Sequence, residues 1–323
     1  MLEKKTDKVS SSLVFISEKN NSIELKENGV VDPIFFALIC NMEKKLVAGT
    51  MRWGSWGAKF STQQYAETIS KWIDCGVFEF DLANLYGDYS CEKEFGKALG
   101  QLDIPRDSVS LITKMGIENP SSDRNNAVKH YNYSKEHIVR CAEQSLRDLQ
   151  TDYLDVLLLH RPSPLLDVNE VAEAFADLIS SGKIKSFGVS NFLPEQIDWL
   201  GKYVQIDHNQ ISFSLSDYTS MESGHLEAFA KRELNISAYS PILNLVNASQ
   251  ELNSVLDILA EKYNVTKAAL CVIWVLKHPL INSCVIGTSR LERISEVQRA
   301  LDVDIELQDY FKLWEAARGT RVP

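Results

Sequence analysis

The sequence predicts an α/β fold built as a single (β/α)8 TIM barrel. Eight short apolar runs rich in β-branched residues alternate along the chain with longer segments of helical periodicity. Such alternation calls for a parallel sheet, and eight repeats suffice to close one into a barrel. The rival, an open doubly wound sheet, binds dinucleotides through a GxGxxG loop after its first strand. Here "GTMRWGSWG" (49–57) has the wrong glycine spacing.

The predicted strands are "LVAGTM" (46–51), "VFEFDLA" (77–83), "VSLITKM" (109–115), "YLDVLLLH" (153–160), "SFGVSN" (186–191), "HNQISFS" (208–214), "ISAYS" (236–240) and "NSCVIG" (282–287). Helical patterns follow each, among them "TQQYAETISKWIDCG", "SKEHIVRCAEQSLRDLQ", "ESGHLEAFAKREL" and "SRLERISEVQRAL". Ser134, Asp167 and Ser289 stand where helices need an N-cap oxygen. Gly76 and Gly182 stand just past helix ends, where a left-handed residue is favoured. In "DVNEVAEAFADLISSGK" the apolar stripe Val171, Ala174, Phe175, Leu178, Ile179 marks a core face. "NVTKAALCVIWVLKHP" reads as an extra helix before the eighth strand. Residues 1–40 do not fit the repeat; "SLVFISEKNNSIEL" predicts a short N-terminal β-hairpin packed on a barrel spanning 41–323. The polar stretch 117–134 is long for a connection at a strand's C-terminal end, where function concentrates.

The 323 residues are 45% hydrophobic and 24% charged, ordinary globular values, with a net charge of −10. An acidic surface disfavours nucleic-acid binding, which relies on basic patches. Six cysteines form no CxxC pair, which reads as reduced thiols in the cytoplasm and no zinc site. No apolar run is long enough to span a membrane, and the N-terminus has no secretory pattern. No Walker loop, HExxH or GxSxG is present.

In a barrel of this kind the C-terminal strand ends share one face, and sites are built there. The polar residues at those ends are Asp81 and Tyr86 after the second strand, Lys114 on the third and His160 on the fourth. Ser190 and Asn191 follow on the fifth, Gln210 on the sixth, Tyr239 and Ser240 on the seventh, and Thr288, Ser289 and Arg293 after the eighth. Singly, each has a bland explanation as a turn, cap or solvated residue. Together the first four describe a proton donor for a carbonyl oxygen. A tyrosine hydroxyl with a pKa near about 10 needs a cation to stabilise its phenolate. Lys114 is placed to supply one, and to lower the Tyr86 pKa; Asp81 fixes the lysine, and His160 hydrogen-bonds a substrate oxygen or relays a proton. The hydride must come from a nicotinamide.

"FDLANLYG", "LITKMG", "DVLLLHRP" and "GKIKSFGVSNF" resemble motifs of the aldo-keto reductases, NAD(P)H-dependent carbonyl reductases on an eight-stranded barrel, and are most similar to a bacterial oxidoreductase branch. The resemblance implies a catalytic tetrad of Asp81, Tyr86, Lys114 and His160, with Tyr86 as general acid. It implies Ser190, Asn191 and Gln210 on the nicotinamide carboxamide, Tyr239 stacked on its ring with Ser240 beside it, and Gly49, Thr50 and Met51 along the cofactor. Gly287, Thr288, Ser289 and Arg293 would meet the adenosine-end phosphate. Gly287 replaces a lysine common in the family and Val297 an asparagine, which leaves Arg290 and Arg293 to hold a 2′-phosphate. NADPH is the implied cofactor and NADH the alternative. The short tail "ARGTRVP" implies an open pocket, walled by Trp53, Trp56, Tyr86 and Tyr131, with Tyr218 near. Aromatic walls suit aldehydes or ketones with an apolar portion. The expected partner is a small carbonyl substrate, with no metal, nucleic acid or membrane, for a cytoplasmic monomer or weak homo-oligomer. The other reading is a cofactor-binding regulatory or redox-sensing subunit with little turnover.

Overall fold

A strand's period of two decides which side chains enter the barrel and which meet its helices. The computed structural model describes residues 44–121 and 124–323; the expected hairpin over 1–40 lies outside them. Its strands are β1 (Lys45–Gly49), β2 (Glu79–Asp81), β3 (Ser110–Met115), β4 (Ile117–Glu118), β5 (His130–Tyr131), β6 (Leu154–Leu159), β7 (Ile184–Ser190), β8 (His208–Ser212), β9 (Asn235–Tyr239) and β10 (Ser283–Ile286). Eight of them close a parallel barrel in the order β1-β10-β9-β8-β7-β6-β3-β2, while β4 and β5 form a separate antiparallel pair. All eight predicted strands are therefore present. The stretch 117–134 is not wholly irregular, because β4 and β5 fold it back over the barrel mouth.

On β3, Leu111 and Met115 join the layer between strands and helices, whereas Ile112 belongs to a small cluster with Val47, Val156, Leu158 and Val285. That cluster fills the barrel axis with branched side chains. The same alternation turns the next inward position of each strand toward the C-terminal mouth: Gly49, Lys114, His160, Ser190 and Tyr239. Register seals the arrangement, with Gly49 opposite Asp81, Lys114 opposite Leu158 and Ser190 opposite Gln210.

The helices follow their sequence signals with three exceptions. Ser134 and Asp167 accept from the His137 and Asn169 amides as N-caps, and Gly76 and Gly182 have φ of 78° and 71°. Ser289, in contrast, is not a cap: helix Leu291–Ala300 starts from Arg290 with no side-chain cap bond. "ESGHLEAFAKREL" is helical only over His225–Ala230, which Gly224 opens at φ of 75°, and a separate short helix, Thr219–Glu222, ends where the stretch begins. Ile179 is exposed at the edge of its otherwise buried stripe. Among the described residues no helix is long and apolar enough to cross a membrane.

Candidate active site

Asp81 ends β2 and faces the axis, where Lys114 from β3 and Gln210 from β8 converge on it. Lys114 Nζ donates to Asp81 Oδ1 at 2.6 Å, to the Leu82 carbonyl at 2.7 Å and to Tyr86 Oη at 3.3 Å. Gln210 Nε2 donates to the same Asp81 oxygen at 2.7 Å. The network runs on across the mouth. Ser190 Oγ donates to the Gln210 carbonyl (2.9 Å), Asn191 Nδ2 to Ser190 Oγ (2.7 Å) and Tyr239 Oη to Asn191 Oδ1 (2.9 Å). Lys114 is only 1% exposed, so its charge depends on Asp81 for compensation.

Tyr86 is presented by a strained turn. Gly87, Asp88 and Tyr89 have φ of 58°, 54° and 66°, a left-handed run that two residues with side chains enter at a cost. The loop after β1 holds it: Ser55 Oγ and Trp56 Nε1 each donate to the Asp88 carboxylate at 2.9 Å. The turn brings the Tyr86 ring edge-on to Trp56 at 6.1 Å and to His160 at 5.9 Å.

Electrostatics correct one expectation. Burial, then Asp81 and Tyr239, hold the Tyr86 hydroxyl well above the usual phenol range, with Arg161 opposing. The net shift is upward even though Lys114 Nζ lies 3.3 Å from that hydroxyl, because burial outweighs the nearby cations. Burial likewise draws the Lys114 pKa down, against Asp81. Burial, followed by Lys114, Arg161 and Lys129, pushes His160 well below the usual imidazole value. The resting site thus holds a protonated phenol beside a neutral imidazole. His160 Nδ1 is buried with no hydrogen-bond partner among the described residues.

Behind β3, Glu92 accepts from Thr113 Oγ1 and from Ser145 Oγ, pinning the residue next to Lys114. Burial raises its carboxyl to about 7, with the two hydroxyls opposing. Its folded pKa exceeds the unfolded value of about 4.3, so the folded chain keeps a proton that the unfolded chain releases. Stability from this group is complete below about pH 4 and is lost as pH rises to about 7, by about 3 kcal/mol. Glu92→Gln should remove that slope and raise stability at pH 8, read from urea denaturation at both ends of the window. An unchanged slope would sink the assignment.

The site opens into a cavity of about 820 Å³. Asp81, Tyr86, His160, Gly49, Met51, Ser190, Asn191, Gln210, Tyr239, Ser240, Gly287, Thr288, Ser289, Arg293 and Trp56 all line it. Thr50 is buried beneath, donating to the Asp81 carbonyl at 3.1 Å. Trp53 does not wall the pocket: it is fully buried, its Nε1 donating to the Thr288 carbonyl at 3.0 Å. Tyr131 packs on the core from β5, and Tyr218 packs on Trp314, both outside the lining. The sequence reading missed Arg161, Lys129, Asn119 and Arg52, which also line the cavity. Arg161 stood in the quoted "HRP" and carried a signal; Lys129 and Asn119 arrive only through the β4–β5 fold-back. Glu118, His137 and Cys141 also meet, their candidate ligand atoms within 4.8 Å. Glu118 already accepts from Arg124 and Asn126, and Arg140 Nη2 lies 2.7 Å from His137 Nδ1, so the group fastens this hairpin to helix Lys135–Leu149.

A sequence model of the aldo/keto reductase family matches residues 45–317, the span that builds the barrel and its mouth. The chain belongs to the aldo/keto reductase family. It is an NAD(P)H-dependent oxidoreductase whose chemistry is carbonyl reduction. This reductase is 34% identical to the oxidoreductase YcsN of Bacillus subtilis over 86% of its length and 96% of that protein. It is 33% identical to a 6-dehydroglucose reductase of Agrobacterium fabrum, covering 86% and 95%. Among solved structures, an aldo-keto reductase of Klebsiella pneumoniae in complex with NADPH superposes with a TM-score of 0.70 at 26% identity, covering 87% and 92%. A glycerol dehydrogenase of Gluconobacter oxydans, at 22% identity and a TM-score of 0.76 over 86% of this chain and 93% of its own, shares the fold.

Proposed function

We propose that the reductase takes NADPH in this cavity and reduces an aldehyde or ketone to an alcohol, with Tyr86 supplying the proton. The observation that carries this reading is Lys114, which binds Asp81 and reaches Tyr86 Oη at the floor of an open cavity. The residues present fit a dinucleotide. At one end stands a buried imidazole nitrogen, His160 Nδ1, without a partner among the described residues. At the other, helix Leu291–Ala300 begins without a side-chain cap and lies beside Arg290 and Arg293. Free N–H groups at a helix start, with arginines, attract phosphate. The volume lies within the range of about 300–1,000 Å³ usual for ligand sites. The solved Klebsiella pneumoniae relative in complex with NADPH supports the same cofactor.

The nicotinamide supplies the hydride when bound. Ser190, Asn191 and Gln210 would hold its carboxamide, and Tyr239 would flank its ring. The Tyr86 hydroxyl gives its proton to the carbonyl oxygen as charge develops there. Lys114 then stabilises the phenolate, held in place by Asp81. Neutral His160 orients the substrate oxygen without competing for that proton. A regulatory or redox-sensing subunit would need the cavity but not this connected donor, so turnover is the reading we hold.

Arg293→Ala should weaken NADPH binding by about tenfold while sparing NADH, the loss expected for one charge-assisted bond at an exposed position. Tryptophan-fluorescence titration with both cofactors checks it; equal losses would argue against a 2′-phosphate contact. NADPH consumption in a screen of aldehydes and ketones tests the function itself.

A further inference from the structure

The chain carries a net charge of −10, yet the catalytic end of its cavity is cationic. Arg161 and Lys129 line it, and among the described residues neither forms an ion pair with a carboxylate. Of the carboxylates that line the cavity, Asp81 is already taken by Lys114 and Gln210. Glu296, the other lining carboxylate, stands on the helix of Arg293.

Arg161 is fixed by neutral partners. Tyr133 Oη donates to its carbonyl at 2.6 Å and accepts from its amide at 3.1 Å. Its Nη2 donates to Tyr239 Oη at 3.2 Å, which in turn is held by Asn191. One of five guanidinium N–H groups is thereby used on a neutral phenol. A positioned arginine with spare donors and no counter-charge, inside a cleft, is built for an oxyanion. Lys129 comes from the β4–β5 hairpin, which the Glu118 cluster fastens down. Both cations act on His160, and Arg161 also on Tyr86, which places them within electrostatic reach of the reacting groups.

We infer that the substrate carries an anionic group, a carboxylate or a phosphate, bound by Arg161 with Lys129 while its carbonyl oxygen meets Tyr86 and His160. The inference rests on the carbonyl-reductase reading of the same site. It assigns specificity to two residues outside the tetrad. The positive field also draws such substrates in, and added salt weakens that attraction.

The test compares charged and neutral aldehydes of similar shape: 4-carboxybenzaldehyde against methyl 4-formylbenzoate, and glyceraldehyde 3-phosphate against glyceraldehyde. The wild type should show kcat/KM higher by about tenfold or more for the charged member of at least one pair. The pair with the larger ratio identifies carboxylate or phosphate as the anion. In Arg161→Gln and Lys129→Gln the ratio should fall toward one, through KM. NADPH affinity, followed by fluorescence, separates this from damage at Tyr239. Equal kcat/KM within both pairs overturns the anion while leaving the reductase standing. So does an Arg161→Gln variant that loses both members of a pair in proportion, which would make Arg161 a prop for Tyr239. Turnover of none of the four with NADPH bound would overturn the reductase reading and this inference together.

Discussion

Tyr86→Phe lowers kcat for carbonyl reduction by about 10³–10⁴ and leaves NADPH affinity essentially intact. The size follows from general acid catalysis. The substitution removes one hydroxyl, the one that Lys114 Nζ approaches at 3.3 Å and that burial keeps protonated. Phenylalanine retains the edge-on ring contacts with Trp56 and His160, so the turn that carries it has no reason to move. No other described donor replaces the lost proton: Lys114 is engaged by Asp81 and Leu82, and His160 is neutral. Single-turnover kinetics with NADPH and a reactive aldehyde check the chemical step directly. Substantial residual turnover would transfer the acid role to His160.

Lys114→Met removes activity and destabilises the fold together, by about 3–5 kcal/mol, the cost of leaving one buried charge of a pair uncompensated. Asp81 would keep Gln210 Nε2 as its remaining side-chain donor, in a place with almost no access to water. Pairing the change with Asp81→Asn removes the stranded charge, so the double variant should regain much of the stability while staying inactive. Urea denaturation of the two single variants and the double one closes the cycle. A Lys114→Met variant as stable as the wild type would refute the claim that this pair carries the floor of the barrel.

These two expectations draw on different levels of information. That Asp81, Lys114 and His160 occupy strand ends is written in local pattern: apolar runs that stop on a polar residue, repeated at barrel spacing. A period of two then turns all three toward one axis. The connectivity was also legible, since Asp81, Lys114 and His160 stand at the ends of three successive barrel strands, with Tyr86 in the turn after the first of them. Caps at Ser134 and Asp167 were readable because an N-cap bond spans two or three residues.

What the sequence could not supply was distance across the chain and the balance of opposing electrostatic effects. A lysine near a tyrosine suggested a lowered phenol pKa. Burial, followed by the Asp81 carboxylate, reversed the sign. Trp53 looked like a pocket wall beside Trp56, but the loop after β1 turns one indole to Asp88 and the other into the core. Ser289 looked like a cap and is not one, which leaves a helix start free for an anion.

By itself, then, the sequence determined the repeating β/α pattern, the closed barrel and the residues at its catalytic mouth, because each depends on periodicity and order along the chain. Tertiary structure alone decided the resting protonation of Tyr86, the burial of Trp53 and the arrival of Lys129 in the same cavity as Arg161. Burial and charge act through space, between residues that the chain keeps far apart until it folds.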